Sequence, residues 1–439
     1  MDLATIFHHK MVDVDHWNLS PIGDAMAAKI LELRAELKPE TDAYAAANGG
    51  AASPIMTDQS LIRYLKGENY DLPVVAKRMR FTLKWREEVG ADAVRAGHIA
   101  RGTRATTSIE GADKITRTVI LGSTMLGETR AKDGDAIVIR FPGQIDPAMV
   151  KASVPFDELT TYCISYVEWV AETLERLSLA AGRIVRYHVV YDMSGLGLKH
   201  MSSDFVFVMK AQTKLFQVHF AELLSTITVI NAPSLFTAVF ALVRPMMSAE
   251  TLSKLSVIGC DRDAWRARLV EMFPDASMPA LLGGTMPNSE LSMPVGFDFE
   301  LAGSDTSMTA HDLAVSAGGK ESVDLVVPPA STAAWKFHLT RGSDITLTAT
   351  RGDDGTEVGS WVRVASASDG FWTNSGDEPV TLHLEFDNSF SWLKSKDVKV
   401  FTDVEATVSG EAVAAMWDGG SEAEQEAAAG GAAGAAAAK

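Results

Sequence analysis

The stretch E-L-L-S-T-I-T-V-I-N-A-P-S-L-F-T-A-V-F-A-L-V-R-P-M-M-S-A-E-T-L-S-K-L-S-V-I-G, residues 222–259, decides the fold. Its apolar run at 227–230 reads as a buried strand, ended by Asn231-Ala232-Pro233. From 234 to 243, Leu235, Phe236, Val239, Phe240 and Val243 recur at helical spacing, and Pro245 closes the segment. A second short strand, 255–258, follows. A helix that is apolar round much of its surface either packs in a core or covers an apolar cavity, and periodicity does not choose between them.

Working outward, strand and helix patterns alternate over residues 113–284. Strands are expected at 115–121, 136–141, 184–191, 227–230 and 255–258, and helices at 155–181, 203–224, 234–243 and 263–273. Such alternation predicts an α/β domain with a largely parallel sheet. The Gly195/Gly197 pair lacks the third glycine and the helix opening of a dinucleotide fingerprint, so it reads as a tight turn. Upstream, Thr57 or Asp58 caps a helix ending at Gly67. Asp71 caps a longer one with Val75, Met79 and Leu83 on its apolar face, and Gly90 stops it. A further helix is expected at 24–37, with an Ala/Asn/Gly/Ser-rich connector at 45–53.

Beyond Gly284 the composition shifts. Residues 285–319 are rich in Ser, Gly, Met, Pro and Ala and read as a linker. Alternating strands then recur at 334–340, 345–350, 360–365, 380–386 and 398–403, the pattern of an antiparallel sandwich. The Arg351-Gly352-Asp353 tripeptide falls in one of its turns. The final Ala/Gly/Glu-rich residues lack large side chains to bury and read as a solvated tail.

The 439 residues carry 40 basic and 57 acidic side chains, a net charge of -17. That balance argues against nucleic-acid binding and against wholesale adhesion to anionic lipid, while leaving room for a local basic patch. Two cysteines, Cys163 and Cys260, exclude a disulfide scaffold and cannot alone complete a structural zinc site. His8, His9 and His16 have no acidic or cysteine partner at ligand spacing, so no metal is expected. The first residues lack the apolar core of a signal peptide, and no apolar run reaches about 20 residues, so a soluble intracellular protein is expected. No nucleophile elbow, H-E-x-x-H or phosphate loop is found, and no enzyme is expected.

Residues 222–259 closely resemble the end of the CRAL-TRIO domain, a lipid-binding fold. The strings L-I-R-Y-L-K-G-E-N-Y-D-L and L-K-W-R-E-E-V-G-A-D resemble its helical N-terminal lobe, and L-L-G-G at 281–284 resembles its closing motif. The resemblance covers residues 57–286. It implies that Phe236, Val239, Phe240 and Val243 sit on a mobile gate over a lipid pocket. It also implies that Glu222, Lys254 and Thr251 hold an inositol-phosphate headgroup. Tyr187 and Val189, at pocket-lining positions, stand where phosphatidylcholine binders place Ser and Thr, which favours an inositol lipid over a choline lipid. Three positions depart from the inositol-binding pattern. Glu68 replaces a second basic residue, and Ala131 and Ala136 fall where an Asp and a Pro are usual. A tocopherol- or sterol-like ligand therefore stays open.

The string H-L-E-F-D-N-S-F-S-W-L-K-S-K, residues 383–396, closely resembles the C-terminal signature of GOLD domains, the β-sandwich that accompanies CRAL-TRIO in patellins and supernatant protein factor. Phe390 and Trp392 alternate with Ser389, Ser391 and Leu393, so a large aromatic is expected to point inward, after a turn at Asp387-Asn388. Lys394 and Lys396 would share a face if strand-paired, either solvated or touching an anionic membrane.

The expected organisation is a multidomain α/β plus all-β chain. An extension covers 1–53, a CRAL-TRIO helical lobe 54–108, and the α/β lipid-binding domain 109–286. A linker at 287–319, a GOLD sandwich at 320–408 and a tail at 409–439 follow. The expected function is lipid binding or transfer, best with phosphatidylinositol, and with no cofactor beyond the bound lipid. Its expected setting is the cytoplasm, with transient peripheral membrane contact and trafficking partners on the sandwich. The alternatives are a non-transferring trafficking adaptor or a carrier of another hydrophobic ligand.

Overall fold

Strands whose successive side chains are all apolar must be covered on both faces. In the computed structural model, which describes residues 19, 23–103, 109, 130–288 and 308–408, such strands form one four-stranded parallel sheet. Its order is β1 (Ala136–Arg140), β2 (Tyr187–Asp192), β3 (Leu224–Ile230), β4 (Leu255–Val257). Ile137, Ile139, Val190 and Ile230 pack with Trp265 and Leu269 of the helix Arg262–Met272. Val138, Val189, Ile227 and Val229 belong to the other core, with the helices Phe156–Ala181, Ser203–His219 and Phe236–Val243. Sequential parallel pairing places these crossover helices on one face. The strand expected at 115–121 lies outside the described residues.

Several boundaries differ from the sequence reading, and the strand expected at 184–191 opens only at Tyr187. The helix expected to run to residue 224 stops at His219, and Leu224 already opens β3. Its last carbonyls are taken by the helical lobe: the Tyr64 hydroxyl donates to His219 O at 2.6 Å and Arg78 Nε to Val218 O at 3.1 Å. The connector expected at 45–53 is shortened by a helix, Lys38–Ala47, which opens with Pro39 in its first turn and runs through helix-favouring alanines.

The lobe otherwise follows its capping residues. Thr57 accepts from Ser60 N to start Asp58–Gly67, and Asp71 accepts from Val74 N to start Leu72–Val89. Gly90, at φ 66°, ends that helix where a left-handed residue is required. The lobe is bolted to the α/β domain by a buried ion pair. Arg86, with its side chain fully buried, donates to both carboxylate oxygens of Glu168 at 2.6 and 3.2 Å and to Asp92 at 2.6 Å.

The C-terminal region is a pair of four-stranded antiparallel sheets. Its strands are β5 (Thr309–Val315), β6 (Lys320–Val327), β7 (Ser331–Arg341), β8 (Ile345–Arg351), β9 (Glu357–Val364), β10 (Ala367–Asn374), β11 (Val380–Asp387) and β12 (Lys396–Ala406). The sheets run β10-β7-β12-β5 and β6-β11-β8-β9 around Trp335, Phe337, Leu347, Leu384, Phe386 and Val400. β5 falls in the stretch read as linker, because most of it is exposed and its partner, β12, is far off in sequence. The 388–395 segment is a loop and not a strand, so Trp392 does not turn inward: it is 91% exposed. Lys394 is exposed on that loop, whereas Lys396 is buried against Asp344 at 2.6 Å, so the two lysines share no face.

Candidate functional site

Between the helical face of the sheet and the helix Phe236–Val243 lies a cavity with about 250 Å³ of room for the centres of water-sized molecules. Tyr187, Val189, Phe236, Val239, Phe240, Val243, Glu222, Thr251 and Lys254, dispersed through the sequence, all line it. The wall is mostly apolar, with Phe205, Phe216 and Phe220 contributed by or just after Ser203–His219. Phe236 and Phe240 stack at 5.5 Å, so the covering helix presents a paired aromatic surface.

One end of the cavity is charged. β3 and β4 are adjacent, which places Glu222, just before β3, beside Lys254, just before β4. The Lys254 ammonium donates to the Glu222 oxygens at 3.3 and 3.2 Å and to Glu250, one helical turn earlier. Glu222 and Lys254 are largely buried, with side chains 9% and 14% exposed. Burial, together with the neighbouring Glu250 carboxylate, raises the Glu222 pKa to about 7. Against the upward push of burial, the hydrogen bond with Glu222 and the Lys254 charge hold Glu250 low, at about 2. Arg78 also lines this end, held at 2.5 Å by Glu68, and Arg186 lies 3.8 Å from Glu222.

Three features escaped sequence reasoning. Glu250 lies four residues before Lys254, a spacing that could have flagged the pair. Arg140, from β1, brings a buried guanidinium to the cavity wall. It donates to the Tyr166 hydroxyl at 2.7 Å, with that ring 5.0 Å away. The third is Asp369 of β10, whose Oδ2 accepts from Ser234 N at 2.6 Å and from Ser234 Oγ at 2.5 Å. A sandwich carboxylate thus sits at the N-terminal approach of the covering helix, where the helix dipole and free amides favour an anion. Ala334, Phe371 and Val408 of the sandwich pack with the same apolar cluster as Phe236 and Val239.

Asp133, Asp135 and His188 also converge, at the start of β1 and β2. Arg183 Nη1 bonds Asp135 at 2.8 Å and His188 Nε2 lies 2.9 Å from Asp133, so these groups already form an ion-pair and hydrogen-bond network. The histidines at 8, 9 and 16 lie outside the described residues.

Residues 125–284 match the CRAL/TRIO domain model, and the chain carries a CRAL-TRIO domain there. Similar curated proteins include the SEC14 cytosolic factor of Yarrowia lipolytica, 21% identical over 52% of this chain and 43% of that protein. The CRAL-TRIO domain-containing protein F28H7.8 of Caenorhabditis elegans is 20% identical over 54% and 55%. The phosphatidylinositol/phosphatidylcholine transfer protein SFH12 of Arabidopsis thaliana is 22% identical over 51% and 39%. The matches thus span about half, or less, of the length of these relatives. Among solved structures, that of Sfh5 aligns with a TM-score of 0.45 and 17% identity, covering 60% of this chain and 88% of that one.

Proposed function

We propose that this CRAL-TRIO chain carries one lipid in the cavity beneath Phe236–Val243 and exchanges it with bilayers, with phosphatidylinositol as the favoured cargo. The observation that carries the reading is the cavity itself, apolar along its walls and charged at one end by Lys254 between two carboxylates. Lys254 can donate to a phosphate oxygen, and the carboxylates can accept from inositol hydroxyls. When Glu222 holds its proton, Lys254 is balanced by Glu250 alone, so an anionic headgroup meets less repulsion.

Exchange is reasonable on energetic grounds. Two acyl chains of roughly 30 methylenes gain over ~20 kcal/mol on leaving water, at ~0.8 kcal/mol each. A bilayer already provides that gain, so transfer from membrane to cavity is nearly isoenergetic. Selectivity then falls to the headgroup, and rate to displacement of the covering helix. The seated helix leaves less room than the ~300–1,000 Å³ of ordinary ligand pockets, so loading a two-chain lipid requires that helix to move.

The same reading makes the chain a carrier and not an enzyme, working in the cytoplasm with transient membrane contact. The sandwich, resembling a GOLD domain, would then serve trafficking partners. No helix among the described residues is long and apolar enough to cross a membrane. A second reading, a non-transferring adaptor with a lipid-filled core, draws on the bonds that tie the covering helix to the sandwich through Asp369.

Native mass spectrometry with lipid extraction on the purified chain tests this. Phosphatidylinositol at near one per chain supports the carrier and its headgroup site. A sterol or tocopherol keeps the carrier and removes the headgroup assignment. Retained lipid that never exchanges with vesicles selects the adaptor.

A further inference from the structure

We propose that the loop between β11 and β12, residues 388–395, is a bilayer-docking tip that places Trp392 and Leu393 in the interfacial zone of an anionic membrane. Trp392 and Leu393 are neighbours in sequence, 91% and 93% exposed. Val326 and Val362 are also exposed, but as single side chains on strands, whereas Trp335 and Phe386 are turned inward.

The loop that carries the pair is held firmly at its base. Asn388 is fully buried, and its Nδ2 donates to Ser316 O at 2.9 Å and Lys394 O at 3.0 Å. Ser391 Oγ also donates to Lys394 O at 3.0 Å. The Phe390 ring lies beneath Arg363, 3.9 Å from its guanidinium carbon. A fixed loop loses little conformational entropy when its tip is buried, which favours a built contact over a stray turn.

The chemistry selects the occupant. A tryptophan beside an aliphatic side chain, next to a lysine, is the composition of an interfacial anchor: the indole sits at the headgroup level and the ammonium reaches phosphates. Lys394 is exposed and makes no ion pair among the described residues. A stable protein interface buries about 800 Å² per partner, more than two side chains on a narrow tip supply. The chain's net charge of -17 repels an anionic surface, so attraction must be local, and a few residues should decide binding.

The tip is also well placed. Asp369, which bonds Ser234 before the covering helix, pairs with Lys336, and Lys336 with Phe401. From Phe401 back to Lys396, at the foot of the tip, is roughly 16 Å of extended strand. Docking would therefore bring the covering helix towards the bilayer. That consequence rests on the lipid-carrier reading, whereas the docking itself does not.

The test is co-flotation of the full chain with phosphatidylcholine vesicles, with and without phosphatidylserine. Variants are Trp392→Ala/Leu393→Ala and Lys394→Glu, each checked for unchanged melting temperature and retained lipid. The double variant is expected to lose at least about tenfold in apparent affinity, since two interfacial side chains are removed. Lys394→Glu is expected to weaken binding only where phosphatidylserine is present. Undiminished flotation of the double variant overturns the proposal, as does a wild-type chain that floats with neither vesicle. A defined protein complex lost in the double variant while vesicle binding stays unchanged also overturns it, and assigns the tip to a protein. Lipid content is read separately, so a chain that carries no lipid but floats through its tip sinks only the carrier reading.

Discussion

Replacing Asp369 by alanine should speed lipid exchange. Its Oδ2 accepts two hydrogen bonds from Ser234, immediately before the helix that covers the cavity. A capping side chain contributes about 0.5–2 kcal/mol, and hydrogen bonds to a charged group about 1.5–3 kcal/mol when well shielded. Both Asp369 and Ser234 are only half-buried, so about 1–2 kcal/mol of the closed arrangement should depend on the carboxylate. Its removal should raise the population of the open helix, and with it the exchange rate, by about 5–30-fold. Contacts made by Ala334 and Phe371 remain, so the sandwich should stay docked. Ser234→Ala, which removes one of the two bonds, should give a smaller increase. The assay is the initial rate of fluorescent phosphatidylinositol transfer between vesicles, compared with the melting temperature of each variant. An unchanged or slower rate in Asp369→Ala, with folding intact, would refute the idea that this bond restrains the moving part.

Three further outcomes are expected. Lys254→Met should weaken phosphatidylinositol retention relative to phosphatidylcholine. It should also lower the melting temperature, since it leaves Glu222 and Glu250 beside the cavity without their shared cation. Adding Glu222→Gln should restore stability and not selectivity, so equal retention of both lipids in the wild type and the double variant removes the headgroup assignment. Glu222 sets a pH dependence: its folded pKa, near 7, is above that of an ordinary carboxyl. The stability it contributes is therefore full below about pH 4.5 and is lost as pH rises through about 7. Anionic-lipid affinity should fall over the upper part of that range, by no more than about tenfold per pH unit. Glu222→Gln should flatten the profile, and a binding isotherm series across pH checks it. Arg86→Met leaves Glu168 buried without its bidentate partner and should cost about 3–5 kcal/mol, read as a large shift in chemical denaturation.

The α/β layer was legible in residue order because its signals are local. Runs such as 227–230, bounded by a turn signal, read as a strand buried on both faces, and Thr57, Asp71 and Gly90 mark helix ends through bonds to their own neighbours. The same locality misled at 203–224, where the helix is stopped by Tyr64 and Arg78, distant groups that take its last carbonyls. Trp392 was misplaced because strict alternation assumes a strand, and Asn388 holds a loop there by bonding to Ser316 and Lys394.

By itself the sequence determined an apolar helix between two parallel strands and the residue types that could hold a headgroup. It also carried the division into helical, α/β and all-β parts. Only the tertiary structure decided that the helix faces a cavity, that Glu250 joins Glu222 on Lys254, and that Asp369 reaches Ser234 from another domain. The reason is one of range. Periodicity and capping are written within a few residues, whereas a cavity, a shared cation and an interdomain bond depend on where chain segments far apart in sequence come to rest.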